Sequence, residues 1–297
     1  MNDQTERKVI EALDENPSLC EVDVNPQRAR KLITSLFIFV MGLLFTIFVW
    51  WMVSWGYNTY MMDRMYSGLK FPNPKDTFEE LFSLLRLDDK ILGISIYEHT
   101  KASLLRWVQG FTLAFVVGVL LGIILSLHPT LYRFGIVPVS ILQMIPGMAW
   151  FPVTILLFGF SNVSAVYIIA ITVVAPITIN VCNGLRRVPE VNMRVAKMCG
   201  RTKTETYIEM MIPFALLDIL AGLRIGMANG WRVLISAEMV VGLSIGVGYS
   251  IKFTSAQILY ETAFACIVVI CIVGIIIDKI ILANLEHYGR KRMGMEE

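Results

Sequence analysis

Residues 189–213, PEVNMRVAKMCGRTKTETYIEMMIP, form a polar segment set between long apolar runs. Val191, Val195 and Met198 recur at helical spacing, and Gly200 can take the positive φ that ends a helix. Thr202 with Glu205 three residues on is the start signal of a capping box, and Tyr207, Met210 and Met211 then give a second helix one apolar face. The spacing predicts two short helices hinged at Gly200. Such a pair, too polar for lipid yet with apolar side chains to spare, suits docking into a partner's groove, although an amphipathic connector has the same local features.

Immediately before this segment, residues 134–185 are 52 consecutive positions without Asp, Glu, Lys or Arg. One span takes about 20 residues, so this run crosses a bilayer twice. With 56% hydrophobic and 17% charged residues, the whole chain reads as an all-α membrane protein. Six spans are expected, over about 32–56, 103–127, 134–158, 163–182, 214–241 and 262–282. Arg28, Arg30 and Lys31, then Arg133, then Arg186 and Arg187, then Arg290, Lys291 and Arg292 all fall on one side of that arrangement. Basic residues stay cytoplasmic, which predicts that both termini and the 189–213 loop face the cytoplasm. The expected organisation is a cytoplasmic extension over 1–31, a membrane domain over 32–288 and a cytoplasmic tail over 289–297. Acidic residues in the extension, and its late apolar run, argue against a cleaved signal peptide.

Several spans carry more than apolar residues. The third contains Pro138, Pro146 and Pro152 and is expected to be broken, and broken helices survive at membrane depth only where protein or a water-filled cavity satisfies the freed backbone. Gln143, Met144, Pro146, Trp150 and Phe151 are therefore candidates for lining a pathway. The fifth span carries Asp218, Arg224, Arg232 and Glu238, with Gly222, Gly226 and Gly230 on one stripe. Asp218 and Arg232 share a face, as do Arg224 and Glu238, but each pair is 14 residues apart and too distant to bond. Their partners must come from another helix or from a solute, so Arg224, Trp231, Arg232 and Glu238 join the pathway candidates. Gly110, Gly118 and Gly122 in the second span predict close helix packing. Between the first two spans, Thr77 with Glu80 predicts a helix start, with Phe78, Leu81, Phe82 and Leu85 on one face. Residues 242–257 read as a Gly-rich extracytoplasmic loop.

The run containing Ala196 and Gly200, then Ile212 and Pro213, then Gly222, Leu223 and Arg224, resembles the EAA loop of permease subunits of binding-protein-dependent ABC importers. Ordered pieces between about residues 71 and 292 are similar to the branch that imports nitrate, sulfonates, taurine or bicarbonate: FPNPKDTFEEL, HTKASLLRWVQGF, VPVSILQMIPGMAWFPVTILLFGF, WRVLISAEM and GVGY. The resemblance implies an importer-type ABC permease fold of six transmembrane helices in a bacterial or archaeal cytoplasmic (inner) membrane. It implies that the loop is a coupling element for a separate ATPase, with Arg194, Ala196, Gly200, Thr202, Glu205, Ile212 and Pro213 as its coupling residues. Arg194 departs from the family, which usually has Glu there. Implied partners are two ATP-binding subunits, which hold ATP and Mg, an extracytoplasmic substrate-binding protein, and a second permease copy in a homodimer. The implied solute is a small anion or polar organic molecule, and related permeases also serve vitamin precursors.

Other function classes find little support. There is no G-x-x-x-x-G-K-[ST], no H-E-x-x-H, and no Ser or Cys beside a plausible base, so an enzyme is not expected and no cofactor is expected in this chain. A net charge of +2 with scattered basic residues does not point to nucleic acid. The five cysteines lack C-x-x-C spacing and read as packing residues, and His99, His128 and His287 are too far apart to suggest a metal site. The competing transport class is a secondary transporter or channel that uses Arg224, Arg232 and Glu238 as ion sites. Inverted internal repeats would favour it, and none is visible.

Overall fold

Helix α1 (Pro26–Gly56), continued by a π turn over Tyr57–Met61, opens the computed structural model, which describes residues 26–61 and 69–282. The expectations for residues 1–25 and for the basic tail lie outside the described residues. The chain divides into two compact units after Pro74. In the first, α1 carries a span over Phe37–Tyr60 that buries almost none of its surface within the unit. Its aromatic end is held by the strap that follows. Trp50 Nε1 donates to the Pro72 carbonyl at 3.1 Å, and the Asn58 amide makes a two-way bond with Phe71, 3.0 Å to its carbonyl and 2.9 Å from its N–H.

The second unit is all helix apart from its connections: α2 (Pro74–Arg86), α3 (Ile96–Ser126), α4 (Pro129–Met144), a 3₁₀ turn Gly147–Trp150 running into α5 (Phe151–Phe158), α6 (Asn162–Arg186), α7 (Glu190–Met198), α8 (Lys203–Thr206), α9 (Ile212–Val241), α10 (Val247–Ala256) and α11 (Tyr260–Ile276). α6 lies at the centre, with Ile169, Val173, Ile177 and Val181 buried. α3 and α9 flank it, and both approach through glycine. A Cβ on Gly110, Gly118 or Gly122 would come within 2.7–2.9 Å of Ile169, Ile177 or Val181, and one on Gly222 within 2.6 Å of Asn180. This is the close approach that small residues permit in lipid, where dispersion replaces the hydrophobic drive.

Among the described residues five helices are long and apolar enough to cross a membrane, and α4 with the Gly147–Phe158 segment makes a sixth, bent by 98°. The predicted break of the third span is there. Ile145 and Pro146 are extended, with ψ of 121° and 136°.

Three local expectations need correction. The second helix of the polar loop is not separate: α8 passes through a π turn at Tyr207–Met211 straight into α9, an unbroken rod of 39 residues from Lys203 to Val241. Pro213 has no N–H, and its ring would clash with the carbonyl four residues back. The wider π turn immediately before it absorbs that conflict without ending the helix. Thr77 does not start α2, which begins at Pro74; Thr77 is buried with its hydroxyl unbonded, and Glu80 accepts a 2.9 Å bond from Thr262 instead. Leu81 and Leu84 form the buried side of α2, packed on Ile96 and Val269, while Phe82 and Leu85 are exposed. Finally, the Gly-rich stretch folds into α10 from Val247 onward.

Candidate functional site

The polar loop is built by caps. α7 ends in a Schellman turn: the Arg201 N–H bonds Ala196 O at 3.1 Å, the Gly200 N–H bonds Lys197 O at 3.1 Å, and Gly200 has φ +70°. A Cβ there would meet open space, so the backbone, not crowding, calls for glycine. Thr202 Oγ1 accepts from the Glu205 N–H at 3.3 Å while the Glu205 carboxylate accepts from the Thr202 N–H at 2.8 Å, the reciprocal capping box read from the sequence. Ala196 is buried and Ile212 half-buried, so these two anchor the loop, and Pro213 is exposed. Arg194 pairs with Glu190 one turn earlier at 3.3 Å, and Arg201 joins the two arms through Glu209 at 2.6 Å. A hydrogen bond between the Tyr207 and Ser126 hydroxyls ties the π turn to the end of α3. Val191, Val195 and Met198, at i, i+4 and i+7, all point outward, and Met198 is 86% exposed. Apolar side chains so displayed on a charged loop form a surface without an occupant among the described residues.

Three of the four charges of α9 find partners outside the helix. Asp218 accepts from Arg187 at 2.8 Å, and Arg224 bonds Asp278 beyond α11 at 3.1 Å. Glu238, fully buried, binds Arg106 of α3 at 2.7 Å. Around that pair the far end of the bundle is closely bonded. Ser103 Oγ lies 2.8 Å from both Glu238 oxygens and accepts the Val247 N–H at 2.9 Å; the Gly248 N–H donates to Glu238 at 2.9 Å. The Gly246 N–H donates to His99 Nδ1 at 3.0 Å, which puts the imidazole proton on Nε2, facing the Ile91 carbonyl at 3.2 Å. Arg106 Nε also donates to Asn162 at 2.8 Å. The first N–H groups of α10, orphans of any helix start, are thus capped by side chains from α3 and α9. Gly246, at φ +154°, and Gly248 have no room for a side chain, since a Cβ would lie 2.6 Å from the Glu238 carboxylate or 2.4 Å from Ile235 O.

The remaining candidates divide. Trp231 is in the core, edge-on to Trp107 with 6.3 Å between ring centroids, and donates to Ile270 O at 3.3 Å. The Arg232 side chain is exposed and, among the described residues, bonds only Ala228 O and Asn229 Oδ1, each at 3.2 Å. Gln143, Met144 and Pro146 are exposed at the break, whereas Trp150 and Phe151 are half-buried. Sequence reasoning missed His99, Ser103 and Arg106. Their i, i+4, i+7 spacing was the available signal, because it continues into the packing stripe of Gly110, Gly118 and Gly122.

Comparison with known proteins bears on both regions. The family model described as "Binding-protein-dependent transport system inner membrane component" matches residues 114–287. The nitrate import permease protein NrtB of Synechocystis sp. is 31% identical over 222 residues, 72% of this chain and 78% of that protein. The bicarbonate transport system permease protein CmpB of Synechococcus elongatus is 30% identical over 229 residues, 75% and 82% of the two chains. The taurine transport system permease protein TauC of Escherichia coli is 26% identical over 230 residues, 77% and 80%. Among solved structures, an inward-facing form of the MetNI methionine ABC transporter aligns with a TM-score of 0.52 and 18% identity, covering 66% of this chain and 94% of that one, a likeness of fold.

Proposed function

The chain belongs to the binding-protein-dependent transport system inner membrane components, and from that premise we propose that it is the permease subunit of an ATP-driven importer of a small anion or polar organic solute. Nitrate, bicarbonate and taurine, the solutes named for its relatives, set the expected class. The observation that carries the coupling role is the outward stripe of Val191, Val195 and Met198 on α7, held at a fixed angle to the α8–α9 rod by Gly200 and the Thr202–Glu205 cap. An ATPase subunit docks there in this reading, one on each of two permease copies, and holds the ATP and Mg. A binding protein delivers solute to the opposite face, near α2 and α10. The loop end is cytoplasmic, and so are both termini, in an inner membrane crossed by several helices. A secondary transporter draws less support, because Arg224 and Glu238 spend their charge on Asp278 and Arg106 within the chain.

The test replaces the stripe. Val195→Asp with Met198→Asp changes no buried group, so the permease remains folded while co-purification of the ATPase from membranes expressing both falls at least tenfold, and ATP-driven uptake of nitrate, bicarbonate or taurine into proteoliposomes falls with it. Undiminished co-purification would remove α7 as the docking element.

A further inference from the structure

A stripe of α9 that is exposed or half-buried runs through Ile225, Asn229, Arg232, Ser236 and Val240, polar in its middle. The other outward-facing spans differ. α3 carries no charged residue over 107–126, nor α11 over 262–277. An ionisable side chain in a span, uncovered by its own chain, faces a cavity or a partner and not hydrocarbon. Nor does Arg232 escape to the membrane surface. It lies nine residues before the end of α9, roughly 14 Å by helix rise, and its bonds run one turn back to Ala228 and Asn229, toward the middle of the span. Among the described residues no carboxylate lies within ion-pair distance of it.

A second observation places non-helical backbone beside it. The break between α4 and α5 abuts the next residue of α9: a Cβ on Gly147 would fall 2.8 Å from Val233 and from Thr172, midway along α6. Non-helical backbone at this depth is tolerated only against protein or water, and Gln143 and Pro146 at the break are exposed. We propose that Arg232, flanked by Asn229 and Ser236 and level with the break at 145–147, is the contact that selects anions in the solute pathway. The guanidinium presents unused donors in a fork that matches carboxylate, nitrate or sulfonate oxygens. Asn229 and Ser236 add neutral polar groups that suit the same oxygens. The inference rests on the permease reading above, and its test works without knowing the solute.

Ser236→Cys is made in a chain whose Cys20, Cys199 and Cys271 are replaced by Ser, expressed with its ATPase. The thiol is treated with two methanethiosulfonates that differ only in head-group charge, one sulfonate and one quaternary ammonium, and each rate is divided by that of free cysteine. The sulfonate is expected to be favoured at least ~10-fold, since a buried-walled charge raises local counter-ion concentration by 10 to 1,000. Arg232→Gln abolishes that preference, Arg232→Lys keeps it, and millimolar nitrate slows the sulfonate reaction. Absence of reaction with either reagent, as on a lipid-covered or subunit-covered face, overturns the proposal, and so does equal reactivity with Arg232 in place. Should Arg232→Gln fail to assemble, the head-group ratio at Ser236→Cys alone still decides. Loss of ATPase co-purification from the parent chain would instead count against the permease reading.

Discussion

The two ends of the α8–α9 rod are held in opposite ways. At the loop end the ion pairs are on the surface: Arg187–Asp218, Arg194–Glu190 and Arg201–Glu209 all keep substantial exposure, and the apolar side chains of α7 point away from the bundle. At the far end Glu238 is fully buried, with Arg106, Ser103 and the Gly248 N–H all bonded to it. Surface pairs contribute little and rearrange readily, whereas a buried, fully bonded charge tolerates almost no displacement. One end of a continuous helix is therefore available to a partner, and the other is fixed to α3 and α10. Force applied at the loop acts on a rod whose opposite end is anchored.

The largest expected effect breaks the anchor. Glu238→Ala leaves Arg106 buried without its carboxylate and releases the Gly248 N–H, a loss of about 3–5 kcal/mol in stability. Thermal unfolding of the purified protein should show a large fall in midpoint, and Glu238→Gln, which keeps the shape and some bonds, a smaller one. An unchanged midpoint for Glu238→Ala would mean that the two ends do not differ as described.

How far the sequence revealed this contrast follows from the range of the interactions. The loop was legible because its determinants are local: Gly200, Thr202 and Glu205 lie within six residues and act on their own backbone. The α3–α6 contact was legible through Gly110, Gly118 and Gly122, and the broken third span through Pro146. The anchor was not, because Glu238 meets Arg106 and Ser103 from more than 130 residues away and the N–H groups it helps cap belong to a helix hidden behind glycines. The merger of α8 with α9 was missed for the opposite reason. Pro213 is a local stop signal, and the π turn that overrides it leaves no mark in the sequence.

A smaller effect sharpens the comparison at the loop end. Gly200→Leu places a side chain at φ +70° in open space, so the strain, roughly 1 kcal/mol or more, is confined to the α7–α8 corner. The unfolding midpoint should move little, while ATP-driven uptake falls severalfold if α7 docks on an ATPase as proposed, because the docking angle is lost. Uptake equal to that of the parent would make the corner a mere connector.

The smallest expected effect concerns Arg194, where the resemblance to the importer permeases sets a usual Glu. Its side chain is 75% exposed and its bond to Glu190, 88% exposed, joins successive turns of one helix, so Arg194→Glu should leave the unfolding midpoint unresolved from the parent. Any consequence must then arise in the complex. If α7 meets an ATPase, the positive charge of Arg194 faces an acidic complement on that subunit, and reversing it slows association at low ionic strength. Salt separates this from a loss of packing: at 1 M, where the screening length is about 3 Å, the difference between variant and parent should close. Binding of the purified ATPase to the two permeases across a salt series is the measurement. Equal binding at low salt would show that Arg194 faces away from the partner, and a deficit that persists at high salt would show that the substitution disturbs α7 itself.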